Sequence, residues 1–173
     1  IDKVFAVMAL ASHHVFQCLT KRPERMRAYF ADLDYRTERI GIIAESISGT
    51  SRSTDFLKAQ WPLPLPSVWL GVSCEDQKTA DERIPLLLQT PAAVRWISAE
   101  PLLGPIDLAN LKGGTFNALD GIDFEDIGDI RDAGVLSKSD TPALDWIVVG
   151  GESGPGARGC ASSKARSLAM SHC

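Results

Sequence analysis

Closely spaced cysteines, long apolar runs and an excess of basic charge are all missing from this sequence, and each absence removes a class of function. Its four cysteines, Cys18, Cys74, Cys160 and Cys173, contain no CxxC pair, and no two histidines stand at HxxxH spacing. The common zinc and redox-pair patterns are therefore excluded, and no metal site is expected within this chain. Cys18 and Cys74 lie inside apolar runs, where a thiol acts as a small hydrophobe. A disulfide between Cys160 and Cys173 is not expected, because an intervening helix holds their Cα atoms too far apart. No stretch approaches the ~18–20 apolar residues of a membrane span, and no signal peptide is visible. A cytoplasmic protein with no membrane partner is the expectation. The formal net charge of −4 and pI near 5.4 argue against a broad nucleic-acid footprint. One local basic cluster, Lys21, Arg22, Arg25 and Arg27, reads first as a solvated helix start.

What is present is a repeated local design. Four apolar runs break off into charged or glycine-rich tails: Val15–Pro23, Val68–Asp76, Val94–Pro105 and Leu144–Arg158. Runs of four to eight β-branched and aromatic residues bounded by turn chemistry read as strands buried on both faces. Helix-like sequence follows three of them, which predicts parallel pairing. The strands are placed at Val15–Thr20, Val68–Ser73, Ala93–Ala99 and Asp145–Gly150. Ligands gather at the carboxyl ends of such strands, where Lys21, Arg22, Glu75, Glu100 and Glu152 all fall.

Between the strands, Pro23 and Glu24 suit a helix start, with Met26, Tyr29, Phe30 and Leu33 as its apolar stripe. Asp76 is the expected N-cap of a helix carrying Ala80, Ile84, Leu87 and Leu88, with a kink or break at Pro85. Residues 34–60 read as an irregular insertion with one helical piece near Thr37–Ile47. Residues 107–142 read as a second insertion or lid, too polar for core. At 173 residues the length suits one domain, and the whole is read as a single incomplete α/β domain. The opening segment begins in mid-pattern, so a start downstream of a true N-terminus is expected.

The turn Gly150–Gly159 is the sharpest local signal, since glycines let backbone amides approach an anion closely. Gly154, Gly156 and Gly159 spell GxGxxG, but the spelling starts too far past its strand, and Pro155 removes an amide. No GK[ST] follows, which excludes a Walker loop, and Ser153 is not a nucleophile elbow. Glu75, Glu100 and Glu152 suit hydroxyl or amine groups of a ligand, although each alone is equally well read as a cap or an ion-pair partner. Glu75 is the weakest of the three, because capping explains it. Lys21 with Arg22 could cradle a phosphate or carboxylate. His13 and His14 precede a strand, at the opposite end of the sheet, and are not expected to act in catalysis. Trp61, Trp69, Trp96 and Trp146 read as core or barrel filling.

The strings LTKRPERM, WLGVSCEDQKTADERIPLLLQTPAAVRWISAEPLLGPIDL and LDWIVVGGESGPGAR together resemble one family. It is a phage and bacterial family of proteins of unknown function, whose members resemble radical-SAM proteins. The resemblance spans most of the chain outside residues 34–60 and 110–142. It implies a partial parallel (β/α) barrel of radical-SAM type, of about four strands with helices outside. It also implies a [4Fe–4S] cluster and S-adenosylmethionine at the strand carboxyl ends of an intact member. The three-cysteine motif that holds the cluster in the family is absent here. The stretch after Arg158 also departs from the family's usual continuation.

The resemblance assigns cofactor contacts to Ser73, Glu100, Gly150, Gly151, Glu152 and Ser153, and small-molecule substrate contacts to Lys21, Arg22, Glu75 and Arg158. Thr20 lies on the same rim. The function expected is that of a fragment of a radical-SAM-like protein providing part of a barrel-rim ligand site. Two alternatives stand beside it: a non-enzymatic phage or mobile-element binding module with a protein or nucleic-acid partner, and an inactive remnant.

Overall fold

The four apolar runs become strands that lie side by side in the order of the chain. The computed structural model describes residues 1–49, 62–120, 122–123 and 142–157. Its helices are α1 (Asp2–Leu10), α2 (Pro23–Tyr29), α3 (Leu33–Ser48) and α4 (Gln77–Leu88). Its strands are β1 (Phe16–Thr20), β2 (Val68–Ser73), β3 (Val94–Ala99), β4 (Phe116–Asn117), β5 (Ile122–Asp123) and β6 (Trp146–Val149). One sheet has the order β1-β2-β3-β6, and all three pairs are parallel. Leu19 stands opposite Gly71, Gly71 opposite Trp96, and Trp96 opposite Trp146. The architecture is mixed α/β, with a separate antiparallel ladder of β4 and β5.

Burial on both faces holds for the central strands β2 and β3 but not for β1 and β6. Leu19 on β1 and Trp146 and Val149 on β6 remain exposed. The reason is position: an edge strand has one neighbour, and less of its side-chain surface is covered. One face of the sheet packs on the helices. There Val68, Leu70 and Val72 of β2 and Ile97 and Ala99 of β3 join Phe5, Ala9, Ile40, Ala44, Ile84 and Leu87 in one core cluster. Burying a leucine or isoleucine of this set stabilises by roughly 1.5–3 kcal/mol.

Three local expectations are corrected. The helical piece expected near Thr37–Ile47 is present but longer, and residues 34–36 and 48 belong to it rather than to an irregular insertion: α3 runs sixteen residues from Leu33 to Ser48. Asp32 caps it by accepting from the Tyr35 N–H at 2.9 Å, and Gly49 closes it with a left-handed φ of 72°. Residues 50–60 of that expected insertion lie outside the described residues. The break expected at Pro85 is absent, and α4 is continuous through it. Proline forfeits the hydrogen bond to the carbonyl four residues back, and here its ring is buried beside Ile84, Leu87 and Leu88. The start of the expected polar lid is core instead. Ile106, Leu108, Leu111, Phe116 and Ala118 are buried, held by turns and by an isolated bridge from Leu111 to Phe116.

Two sequence signals act as read. Pro23 opens α2 with Glu24 in its first turn. Asp76 caps α4 in a reciprocal box with Thr79, the arrangement that satisfies two otherwise orphaned helix donors.

Candidate functional site

Side chains alternate across a strand, so those opposite the helix-packed residues form a second face. From the amino to the carboxyl end it carries Trp69, Gly71 and Ser73 on β2, and Trp96 and Ser98 on β3. Trp146 and Val148 of β6 continue the same face. The register confirms the levels: Ser73 is opposite Ser98, and Ser98 opposite Val148. Just beyond the strands stand Lys21, Glu75, Glu100 and Gly150. The face therefore grades from indole through hydroxyl to charge.

Glu75 is the hub of this rim. Its carboxylate pairs with Lys21 Nζ and with Arg83 at 3.0 Å, and it accepts from Ser73 Oγ at 3.2 Å. Arg83 also donates to the Ser73 carbonyl at 2.6 Å. The Glu75 N–H donates to Thr79 Oγ1 at 3.0 Å, and its carbonyl accepts from the amides of Leu103 and Gly104. Burial of this group raises its pKa, but the Lys21 hydrogen bond and the Arg83 charge outweigh it. The carboxyl is held below its ordinary value. The capping explanation for Glu75 is thereby corrected: Asp76 is the cap, and Glu75 is a charged, largely buried bridge between β1, β2 and α4.

Glu100 is exposed and leans back along β3, with its Oε2 3.4 Å from Ser98 Oγ. Gly150 lies against it. A Cβ at that position would meet the Glu100 carboxyl group, so the two are in close approach, and a larger residue there would turn the Glu100 side chain aside. The Leu102 N–H donates to the Gly150 carbonyl at 2.9 Å, which ties the segment after β3 to the end of β6. Gly151 and Ser153 follow, both exposed, while Glu152 is half-buried and engaged. Gly154 and Gly156 have φ of 104° and 80°, a region open chiefly to glycine. Arg158 and Gly159 lie outside the described residues, as do Trp61, Cys160 and Cys173.

The side chains of Lys21 and Arg22 lie against different partners. Lys21 turns to Glu75, whereas Arg22 joins Arg25 in lining an apolar cavity of about 360 Å³ between α1, β1 and α2. Arg27 reaches Gln89 instead. The basic stretch thus divides among separate partners. His13 and His14 stand before β1, their rings 4.1 Å apart, at the end of the sheet away from the rim. Cys74 is fully buried in the helix-side core, and burial pushes its thiol up to about 12. Cys18 is half-buried, and burial pushes its thiol up as well.

Sequence reasoning missed Arg83 and Ser98. Arg83 lies two helical turns beyond the cap Asp76, so the 3.6-residue repeat alone returns it to the rim side. Ser98 stands one pleat before Glu100 on the same face. Among the described residues, no three His, Cys, Asp or Glu converge as a metal group, and no helix is long and apolar enough to cross a membrane. No curated protein and no solved structure matches the chain. A family of proteins matches it along residues 1–173, and on that basis the chain belongs to DUF5131, a family of unknown function.

Proposed function

We propose that the rim is the small-molecule wall of a radical-SAM-type (β/α) barrel protein. In this reading Ser73, Glu100 and the Gly150–Ser153 turn hold S-adenosylmethionine, and Lys21 and Glu75 meet the substrate. One observation carries it. Three adjacent parallel strands end in Lys21, Ser73–Glu75 and Ser98–Glu100, and Gly150 of the fourth lies against Glu100. Parallel sheets with helices on the outer face bind ligands at that edge. The chemistry fits: an exposed carboxylate accepts from an amino group or a ribose diol, and a lysine ammonium meets a carboxylate. Four parallel strands in chain order also suit one arc of such a barrel.

A [4Fe–4S] cluster does not fit the cysteines of the described residues. Cluster ligation takes several thiolates gathered on one side of a site. Cys74 is sealed on the helix side with its thiol held protonated, and Cys18 is also disfavoured as thiolate. The reading therefore gives these residues the ligand wall, places the cluster on other cysteines and assigns no reaction step.

The test is calorimetric titration of S-adenosylhomocysteine into the full-length protein. Saturable binding is expected, weakened about tenfold by Glu100→Gln, the range for loss of a charged hydrogen bond. Binding unchanged by that substitution removes Glu100 from the site, and no binding at all removes the reading. The radical-SAM assignment separately requires iron and sulfide after anaerobic reconstitution of a form carrying three close-set cysteines; their absence sinks it.

A further inference from the structure

Three indoles form the floor beneath the rim. Trp146 meets Trp69 edge to face and Trp96 at a 34° tilt, each with ring centroids 5.7 Å apart. Trp96 lies flat over Gly71, where a Cβ would meet its pyrrole atoms at 2.5–2.8 Å. Only 6% of Trp96 is exposed, and its Nε1 has no hydrogen-bond partner among the described residues. An unpaired buried donor is costly to leave unmade. Trp146, by contrast, is 40% exposed, so part of the floor's aromatic surface is open to solvent. Interiors of filled barrels are dominated by branched aliphatic side chains, not by a cluster of indoles with an orphaned N–H.

We infer that this floor receives the heterocyclic ring of a nucleoside substrate. The inference rests on the reading of the rim as a ligand wall and names the class of ligand. The ring stacks on Trp146, the surface that every base can use. A ring carbonyl or ring nitrogen of the same ligand is the acceptor that Trp96 Nε1 lacks. Ser98 lies one pleat above Trp96, about 7 Å along the strand, and the Glu100 carboxylate is drawn back to that level by Ser98 Oγ. That span suits a base on the floor with its sugar reaching the substrate side of the rim at Glu75, the cofactor keeping Glu100. The net result is a site selecting a planar ring and a sugar together.

The experiment is titration of the full-length protein with uridine and guanosine, read by tryptophan fluorescence. Saturating S-adenosylhomocysteine is present, so that a nucleoside substrate is distinguished from the adenosine of the cofactor. Saturable quenching is expected, weakened about tenfold by Trp146→Ala and retained by Trp146→Phe, which keeps a stacking face. Trp96→Phe, which removes only the N–H, is expected to weaken binding about threefold. No saturable quenching with either nucleoside, or full affinity in Trp146→Ala, overturns the inference. Quenching by S-adenosylhomocysteine alone also overturns it, because the floor then serves the cofactor. In the last case the proposed ligand wall stands; if nucleosides bind but S-adenosylhomocysteine does not, the wall reading falls while the floor survives.

Discussion

Replacing Glu75 by glutamine tests the account of the rim most directly. The substitution keeps the shape and removes the charge, leaving Arg83 facing a neutral amide. The Arg83 and Glu75 side chains are only 17% and 12% exposed, whereas Lys21 is 63% exposed. Breaking a fully buried pair by removing one partner costs about 3–5 kcal/mol. Here the exposed Lys21 regains water at once, so a loss of about 2 kcal/mol is expected, mostly from Arg83. For a chain of this length that lowers Tm by about 4–8 °C. Lys21→Ala, acting on an exposed ammonium, is expected to cost only about 0–1 kcal/mol. The pH dependence follows from the direction of the Glu75 shift. Its folded pKa lies below the ordinary value of 4.5, so its contribution is complete above that value and fades as pH falls through the folded pKa. The gap between native and Glu75→Gln proteins is therefore expected to be constant from about pH 6 to 8 and to shrink as pH falls below the ordinary value of 4.5. Urea denaturation across pH measures it. Equal losses for Glu75→Gln and Lys21→Ala, or a gap that widens on acidification, would refute the assignment of Glu75 as a charge buried against Arg83.

Three further outcomes are expected. Gly71→Ala drives a Cβ into the Trp96 ring and is expected to destabilise by about 1–3 kcal/mol, with a changed tryptophan emission maximum; an unchanged melt and spectrum contradicts the packing of Trp96 on Gly71. Asp76→Ala removes the acceptor of the α4 capping box and is expected to cost about 1 kcal/mol by thermal melting, with a neutral result counting against the cap. Cys74, buried and with its thiol pushed up to about 12, is expected to resist iodoacetamide in the native protein at pH 8 and to react on unfolding; mass-spectrometric detection of rapid native labelling contradicts its burial.

The strands were legible because each is a continuous β-branched or aromatic run, and their ends moved by only one residue: β1 starts at Phe16 rather than Val15, and β6 at Trp146 rather than Asp145. The extent of α3 was obscured because its buried set is small, Thr37, Ile40, Gly41 and Ala44, and charged residues dilute the stripe. The buried loop from Leu102 to Ala118 had no periodicity to read, because turns rather than a regular element orient its apolar side chains. The positions of Glu75 and Glu100 at strand ends could be read from the chain. Their roles could not, since the Lys21–Glu75 contact spans 54 residues and the Gly150–Glu100 approach exists only once β3 and β6 are paired.

The pairing of β3 with β6 sets the rule for what may lie between them. The Leu102 N–H bonds the Gly150 carbonyl where the connection leaves β3, and the Asp145 N–H bonds the Arg95 carbonyl at 2.9 Å where it returns to β6. Asp145 also accepts from the Arg95 N–H at 2.7 Å. Both ends of the connection are thus pinned to one strand pair. The loop-closure entropy of the connection then grows only with the logarithm of its length, about 0.6 kcal/mol per doubling. A change in the length of this connection is therefore expected to leave the two strand ends, and the proposed rim beside them, in place.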